Sequence, residues 1–419
     1  MRILFLHPNF PAQFRHLATV LAKDTRNEVV FGTARREGEI PGVKKVIYEV
    51  SREPAKETHH YLRFLESAVL EGQAVYREML ELKKSGFYPD IIYAHSGWGV
   101  GLFMKDLFPK ARYICYFEWF YHAHGTDADF DPSEPLDAND EARIRVKNTP
   151  ILLDLASCDA GLCPTYWQRL QFPPEFHNKL KVIHDGVDTE FFKPDPDSVK
   201  IPLLFTEEIP ENVPVLTGLE GKKILELSDK TEIVTYVSRG FEPYRGFPQF
   251  MESVAHLQQK RPNTHVVVVG DDRVAYGKNL PDGRTYKQMM LEKLDLDLSR
   301  IHFTGRLPYN QYRKVLQASS VHIYLTRPFV LSWSMLEAMS VGCVVVGSKT
   351  PPVQETIADG FNGFLVDFFQ PEAIAAKVGE ILDNLEEVKK MRILARNTII
   401  DHYNLASLLP VHLHWLKSP

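Results

Sequence analysis

Short apolar segments alternate with amphipathic helical segments from the first residue of the chain, and the alternation starts again near residue 233. In the first half, Arg2–Leu6 and Ile91–Ala94 have the apolar composition of buried strands, as Ile233–Val237 and His265–Val269 do in the second half. Strands that alternate with helices favour a mostly parallel sheet with helices on both faces. The sequence therefore predicts an α/β protein with two facing, Rossmann-like doubly wound domains and a cleft between them.

A proline-rich stretch from about His184 to Asp229 separates the two halves, because proline favours extended backbone without ladder hydrogen bonds. We expect a first domain over residues 1–195 and a second over residues 196–399. A final helical stretch at about residues 400–419 is expected to pack back on the first domain. Clefts between α/β domains are common sites for small molecules.

Composition narrows the class of protein. The 419 residues carry 49 basic and 54 acidic side chains, a balance that argues against a dedicated nucleic-acid binder. Four scattered cysteines are too few for a disulfide framework or a zinc cluster and are typical of a reducing cytoplasm. No apolar run approaches the ~18 residues of a bilayer crossing, and the apolar start MRILFL is too short for a signal peptide. We expect a cytoplasmic protein, and peripheral contact with the inner face of a membrane stays open.

Two arginines of the second half flank a turn that follows a predicted strand. Arg239 and Arg245 are six residues apart in SRGFEPYRGF, with Gly240 and Pro243 between them. Guanidinium groups hold phosphate oxygens by paired hydrogen bonds and stay charged at any relevant pH, so the pair could bind one multiply charged anion. The alternative is two surface arginines on a solvated turn.

Two further strand-to-helix turns lie in the same half. Leu331-Ser332-Trp333 stands at a predicted helix start, where free N–H groups and the helix dipole attract anions. Ser334 and Glu337 also match a capping box, in which the glutamate returns to the helix backbone, so two interpretations compete for the Glu337 carboxylate. In Gly305-Arg306-Leu307, the glycine permits close approach of the backbone to a ligand, or indicates only a turn.

Long segments of the chain resemble family-4 glycosyltransferases, which have the GT-B fold. The second half carries TYVSRGFEPYRGF, FTGRLPY and YLTRPFVLSWSMLEAM, which are similar to the nucleotide-binding half of a bacterial subgroup. VIHDGVDTEFFKP resembles the segment that joins the halves in that family, and HPNFPAQFRHLA, YAHSGWG and YFEWFY resemble the first half of the subgroup. The resemblance implies retaining, metal-independent transfer of a sugar from a nucleoside-diphosphate donor to an acceptor on the first domain.

The resemblance also implies roles for the residues of the donor site. Arg239 and Arg245 take the positions that grip the diphosphate and stabilise the charge that develops on it. Glu337 takes the position that hydrogen-bonds the ribose hydroxyls. The loop Leu331-Ser332-Trp333 contacts the donor sugar or phosphate through backbone amides, and the turn Gly305-Arg306-Leu307 lies near the base.

Two positions depart from the family pattern. Phe329 stands where the family has a glutamate that contacts the donor sugar. Glu118 stands where many relatives have a histidine, as an acidic catalytic group or as a strand-end carboxylate paired with a surface base. His95 is expected to touch substrate in the cleft or to be a satisfied turn histidine. The expected acceptor side consists of Phe10, Pro11, Gln13, His95 and Glu118, and the last two are also catalytic candidates.

These observations together predict a retaining hexosyltransferase. It would move a sugar from a nucleoside-diphosphate sugar, most often a UDP-sugar in this family, to a glycan or lipid-linked acceptor in surface polysaccharide or glycoconjugate biosynthesis. We expect neither a cofactor nor a metal. Two alternatives share the fold: a non-catalytic protein that binds a nucleotide sugar or glycan, for which Phe329 is the reason, and a nucleotide-sugar epimerase.

Overall fold

The computed structural model describes residues 1–195, 203–206, 222–225 and 232–418, so most of the predicted linker lies outside the described residues. The chain divides into two compact units. The first unit contains Met1–Gly186 and Ala406–Pro419, and the second contains Val187–Leu405.

The first unit is built on a seven-stranded sheet. Its strands are β1 (Arg2–Leu6), β2 (Glu28–Thr33), β3 (Val43–Ile47), β4 (Ile91–His95), β5 (Arg112–Tyr116), β6 (Ala160–Cys163) and β7 (Leu180–Val182). They lie in the order β3-β2-β1-β4-β5-β6-β7, and every adjacent pair is parallel. Ile3 of β1 stands opposite Val29 of β2 and Ile91 of β4, so β1 lies inside the sheet.

Helices cover both faces of this sheet. They are α1 (Arg15–Lys23), α2 (Arg63–Lys84), α3 (Met104–Leu107), α4 (Ala138–Lys147), α5 (Thr149–Ser157) and α6 (Tyr166–Leu170). Successive side chains of a strand point to opposite faces, and accordingly Leu4 packs in one apolar cluster with Met79 of α2, whereas Phe5 packs in another with Leu21 of α1. The predicted doubly wound arrangement of the first half is confirmed.

The second unit repeats this plan. An antiparallel pair, β8 (Leu203–Thr206) and β9 (Lys222–Leu225), precedes the strands β10 (Glu232–Gly240), β11 (Thr264–Asp271), β12 (Ile301–Phe303), β13 (Val321–Tyr324), β14 (Val344–Ser348) and β15 (Phe364–Val366). The helices are α7 (Phe247–Lys260), α8 (Tyr286–Lys293), α9 (Tyr309–Ala318), α10 (Trp333–Ser340), α11 (Pro351–Gln354), α12 (Pro371–Asp383) and α13 (Lys389–Tyr403). The last described helix, α14 (Leu405–Lys417), contributes Leu416 to the core of the first unit. None of the helices in the described ranges is long and apolar enough to cross a membrane.

Strand order in the second unit positions the candidate site. The parallel strands lie in the order β12-β11-β10-β13-β14-β15, so β10 has the next strand of the chain, β11, on one side and β13 on the other. The strand order reverses here, and open α/β sheets bind ligands outside the carboxyl ends of the strands at such a switch point. The loops that follow β10 and β13 therefore lie beside each other at the edge where a ligand is expected.

The boundary between the units differs from the predicted one at residue 195. The second unit already begins at Val187, because Val187 and Phe192 pack in its apolar core. The guanidinium of Arg396 donates hydrogen bonds to the carbonyls of Thr189 and Phe192, which fixes this segment to α13. The C-terminal return begins at Ala406 rather than near residue 400, because α13 buries Ile399 in the second unit.

Candidate active site

The turn after β10 folds tightly against the end of β13. A short 3₁₀ turn over Pro243–Arg245 leads through Gly246 into α7. Gly246 has φ +64°, and a Cβ atom at this position would lie 2.5 Å from the Cβ of Leu325. Glycine is needed here both for the left-handed backbone and for the close approach. The glycine thus brings the predicted arginine turn onto the segment that follows β13.

Arg245 is buried in this turn, with 7% of its surface exposed. Its Nη1 donates hydrogen bonds to the carbonyl of Val330 at 2.8 Å, to Oγ1 of Thr326 at 2.9 Å and to the hydroxyl of Tyr324 at 3.3 Å. Arg239, at the end of β10, is exposed. The surface-arginine interpretation is therefore wrong for Arg245, which is held in a fixed orientation beside the loop that precedes α10.

The N-terminus of α10 shares a partner with Arg245. The backbone N–H of Ser332 donates to the hydroxyl of Tyr324 at 2.8 Å, and the same oxygen accepts from Nη1 of Arg245. Ser332 caps the helix by accepting from the N–H of Ser334 at 3.4 Å. The predicted capping box is wrong, because Ser334 lies inside the first turn and is not the cap.

The carboxylate of Glu337 faces α9 instead of its own helix terminus. It accepts hydrogen bonds from the hydroxyls of Tyr312 at 2.7 Å and Tyr309 at 3.2 Å, and it is buried. The two tyrosine hydroxyls therefore hold the Glu337 carboxylate in a fixed orientation beside α9.

The remaining predicted donor residues lie on two loops. Leu331 is buried in the apolar core, and Trp333, half-buried, is the first residue of α10. Gly305 is exposed with φ +63°, its carbonyl accepts the N–H of Gly270 at 3.0 Å, and Arg306 beside it is also exposed. Leu307 is half-buried against the same core as Leu331.

In the first unit, three of the predicted acceptor-side residues meet at the ends of β4 and β5. His95 is 3% exposed, and its Nε2 lies 3.7 Å from Oε2 of Glu118. The amide of Gln13 donates to Oε1 of Glu118 at 3.3 Å, and the amide of Gln168 donates to the Glu118 backbone carbonyl at 2.7 Å. Burial lowers the pKa of His95, opposed by the nearby carboxylate of Glu118. Within the part of the chain that the structure describes, Glu118 pairs with no surface base, and its side-chain neighbours are an amide and a buried histidine.

The two other acceptor-side candidates have local roles. Phe10 packs edge-on against Phe31 with ring centroids 4.9 Å apart, and the ammonium of Lys45 lies 4.4 Å from the Phe10 ring centre. The carbonyl of Pro11 accepts the N–H of Phe14 and so begins the turn into α1. Neither residue contacts His95 or Glu118 through a described hydrogen bond.

Family models match both halves of the chain. The glycosyl transferase family 4 group matches residues 25–192, and the glycosyl transferases group 1 matches residues 220–398. The chain therefore carries one domain of each of these two glycosyl transferase families. The group 1 domain contains the arginine turn, α10 and Glu337, and the family 4 group domain contains His95 and Glu118.

Curated relatives of this chain are distant. An uncharacterized glycosyltransferase of Methanocaldococcus jannaschii, MJ1069, is 25% identical over 55% of the chain and 60% of its own length. A D-inositol 3-phosphate glycosyltransferase of Corynebacterium glutamicum is 25% identical over 50% of the chain and 44% of its own length. The matched region thus spans about half the length of these relatives.

Solved structures share the fold of this chain over 99–100% of its residues. HepE of Anabaena, crystallised with UDP-glucose, matches with a TM-score of 0.68 and 16% identity over 100% of both chains. Sucrose-phosphate synthase of Thermosynechococcus elongatus matches with a TM-score of 0.67 and 14% identity over 99% of this chain and 98% of its own. The predicted fold class, with two Rossmann-like domains of GT-B type, is confirmed.

The side chain at the position that departs from the family pattern, Phe329, takes part in aromatic packing. The ring of Phe329 stands edge-on to Tyr244 and Tyr276, with centroid distances of 5.4 Å and 5.2 Å. The guanidinium of Arg245 lies 5.5 Å from the Tyr276 ring centre. Phe329 therefore packs against Tyr276, which also lies near Arg245, and places an apolar ring where the family has a carboxylate.

Sequence reasoning missed Glu242, which lies in the centre of the arginine turn. Its carboxylate accepts the backbone N–H of Tyr276 at 2.8 Å and that of Ala275, which attaches the loop after β11 to the turn. Burial raises the pKa of Glu242, opposed by these hydrogen bonds and by Arg245. The position of Glu242 between the two arginines was visible in the sequence, but its partners lie more than 30 residues away.

Proposed function

We propose that the protein is a retaining glycosyltransferase that uses a nucleoside-diphosphate sugar, most simply a UDP-sugar. The sugar would go to a glycan or lipid-linked acceptor during assembly of a surface polysaccharide or related glycoconjugate. The observation that carries the proposal is the buried Arg245, held by Thr326 and Val330 beside the N-terminus of α10 at the switch point of the second unit.

This arrangement suits the departure of a nucleoside diphosphate. Negative charge grows on the β-phosphate as the bond to the sugar breaks, and fixed cations and N–H groups lower the energy of that state. Arg245 and the first N–H groups of α10 are oriented before substrate binds, and the exposed Arg239 can close on the phosphate from solvent. Loss of one such fixed donor costs about 3–4 kcal/mol in comparable sites. In this proposal the charge is stabilised without a metal ion.

The other donor groups hold the nucleoside. Glu337, oriented by Tyr309 and Tyr312, would accept the ribose hydroxyls. The exposed turn Gly305-Arg306-Leu307 would lie against the base, and the backbone of Leu331-Ser332-Trp333 would contact the phosphate or the sugar. The departing phosphate would take the proton of the acceptor hydroxyl, and the sugar would keep its anomeric configuration.

The acceptor would bind to the first unit, where His95, Glu118 and Gln13 meet. An acceptor attached to lipid would bring the protein to the inner face of the cytoplasmic membrane as a peripheral protein. Phe329 favours a second candidate function, a protein that binds a nucleotide sugar without turnover, because it removes a carboxylate beside the donor site.

Binding measurements test the donor site. We expect calorimetric titration to show binding of UDP in preference to GDP and ADP, and Arg239→Ala to weaken it about tenfold, the effect of removing one charge-assisted contact. Arg284→Ala is the matched control, an exposed arginine of the same unit, and should leave affinity unchanged. A protein that binds none of the three nucleotides would refute the proposal.

Turnover distinguishes the two candidate functions. Labelled UDP-glucose and UDP-N-acetylglucosamine should give transfer to added lipid or glycan acceptors, in EDTA as well as in magnesium. NMR of the product should show the α-configuration of the donor. Tight UDP-sugar binding without transfer would favour the non-catalytic candidate, and an epimerised sugar would identify an epimerase.

A further inference from the structure

The imidazole of His95 is fixed in one protonation form by its own turn. Its Nδ1 lies 2.9 Å from the carbonyl oxygen of Ser96. A carbonyl can only accept a hydrogen bond, so Nδ1 carries the proton, and in the neutral ring Nε2 presents a lone pair. Burial lowers the pKa of His95, which keeps the ring neutral near pH 7.

The lone pair of Nε2 is buried without a hydrogen bond to any described residue. Oε2 of Glu118 lies 3.7 Å from this nitrogen, beyond hydrogen-bond distance, and is itself an acceptor. In the two adjacent rings, Nδ1 of His7 accepts the N–H of Asn9, and the hydroxyl of Tyr116 donates to Asp185. Gln13 donates to the other carboxylate oxygen of Glu118.

Nε2 of His95 and Oε2 of Glu118 are two acceptors 3.7 Å apart, so a ligand that satisfies both must carry two hydrogen-bond donors. An unpartnered buried acceptor costs about 1–3 kcal/mol, so binding such a ligand recovers free energy. A single hydroxyl has one hydrogen and can satisfy only one of the two atoms. Two hydroxyls on adjacent carbons of a sugar ring can each donate to one acceptor, at a spacing that suits a separation of 3.7 Å.

We propose that Nε2 of His95 and Oε2 of Glu118 form a subsite for two neighbouring hydroxyls of one saccharide ring. The inference rests on the proposed function, which supplies saccharides as substrates, and it extends that function by naming the hydroxyl pattern that is recognised. The hydroxyl pair belongs either to the sugar that is transferred or to the acceptor, and the experiment distinguishes these sources.

The first experiment compares Glu118→Gln and His95→Phe with Glu175→Gln, an exposed carboxylate of the same unit. If the pair binds the transferred sugar, both variants should weaken UDP-glucose binding about tenfold and leave UDP binding unchanged. If it binds the acceptor, both should raise the acceptor KM about tenfold and leave UDP-glucose binding unchanged. Variants that behave like Glu175→Gln in both assays would overturn the proposal.

Deoxy substrates show whether hydroxyls are the groups recognised. The wild type should bind a substrate about tenfold less well when one of the two recognised hydroxyls is missing. The substrates to compare are UDP-3-deoxyglucose, UDP-4-deoxyglucose and the matching deoxy acceptors. The Glu118→Gln variant should lose this discrimination. Discrimination that is unchanged in the variant, or a preference for an amino sugar over its hydroxyl counterpart, would overturn the subsite.

A spectroscopic measurement separates this inference from the proposed function. Nitrogen-15 NMR of the substrate-free protein at pH 7 should show that the His95 ring is protonated only at Nδ1. The His95 signals are identified because they are absent from the spectrum of His95→Phe. A ring protonated at Nε2 or at both nitrogens would overturn the subsite even if sugar transfer is observed. Failure to bind any nucleotide would refute the proposed function and leave the NMR result intact.

Discussion

The hydroxyl of Tyr312 donates a hydrogen bond to Oε2 of Glu337 at 2.7 Å, inside the second unit. The bond joins α9 to α10 and orients the carboxylate that we assign to the ribose. Burial raises the pKa of the Tyr312 hydroxyl far above its ordinary value, and the nearby charge of Glu337 raises it further. Tyr312 therefore stays protonated and donates at every physiological pH.

Tyr312→Phe should lower both stability and donor affinity. The substitution removes a donor from a buried carboxylate, which costs roughly 1–3 kcal/mol of unfolding free energy. Tyr309→Phe is the matched control, because Tyr309 is 44% exposed and its bond to Glu337 is longer. Urea denaturation and UDP titration of both variants check the prediction, and equal losses in the two would contradict it.

Arg245→Lys should destabilise the protein although it keeps the charge. Both hydrogen bonds, to Thr326 and to Val330, come from the one nitrogen Nη1, and a lysine side chain is one atom too short to place its ammonium there. We expect a loss of about 1.5–3 kcal/mol, the range for hydrogen bonds to a charged group, with weaker UDP binding. Arg239→Lys, at an exposed position, should leave the unfolding free energy unchanged. The prediction fails if both lysine variants unfold at the same urea concentration as the wild type.

The fold could be predicted from the sequence wherever apolar residues recur with a clear period. The first predicted strand, Arg2–Leu6, matches β1 at both ends, and the buried helix α10 begins at the predicted Trp333. Helix α4 (Ala138–Lys147) escaped prediction because none of its residues is buried. A helix without an apolar face shows no hydrophobic periodicity in its sequence, so this signal cannot predict it.

The site was less predictable because its contacts are long-range. Burial of Arg245 depends on Thr326 and Val330, which follow it by more than 80 residues. The capping-box pattern at Glu337 is a local signal. In the structure the carboxylate instead bonds to Tyr312 and Tyr309, which lie 25 and 28 residues earlier in the chain. Residue types indicated the chemistry, but only the strand order shows which side chains meet.

Asp154 should make the first unit less stable as pH rises from about 4 to 6. Its carboxylate is 1% exposed and accepts hydrogen bonds from Ser96 at 2.7 Å and Tyr113 at 2.8 Å. Burial raises its pKa to about 6, against these bonds. Over this pH range the folded protein keeps a proton on Asp154 that the unfolded chain has released. The free energy of unfolding therefore falls by about 3 kcal/mol as the pH rises through the range.

Asp154→Asn removes the titrating group and should remove this part of the pH dependence. Urea denaturation of both proteins at pH 4, 5, 6 and 7 measures the difference in unfolding free energy. The advantage of the wild type over the variant should fall by about 3 kcal/mol across the series. A difference that stays constant with pH would show that Asp154 titrates near its ordinary value in the folded protein.

The four cysteines should report the opening of each unit separately. All four are buried, and burial raises the pKa of Cys343 to about 12, so an alkylating reagent should modify the thiols only when the structure around them opens. Cys343 lies in the second unit, where its thiol donates to the carbonyl of Leu316 at 3.0 Å. The other three, Cys115, Cys158 and Cys163, lie in the first unit.

A ligand of the second unit should therefore protect Cys343 more than the other thiols. Saturation with UDP at one hundred times its Kd stabilises the form that binds it by about 2.7 kcal/mol, which slows opening-limited labelling about a hundredfold. Peptide mapping by mass spectrometry after timed alkylation in mild urea measures each site. Arg239→Ala should need about tenfold more UDP for the same protection. If UDP protects the three thiols of the first unit and not Cys343, the nucleotide binds to the other unit and the assignment of the donor site is wrong.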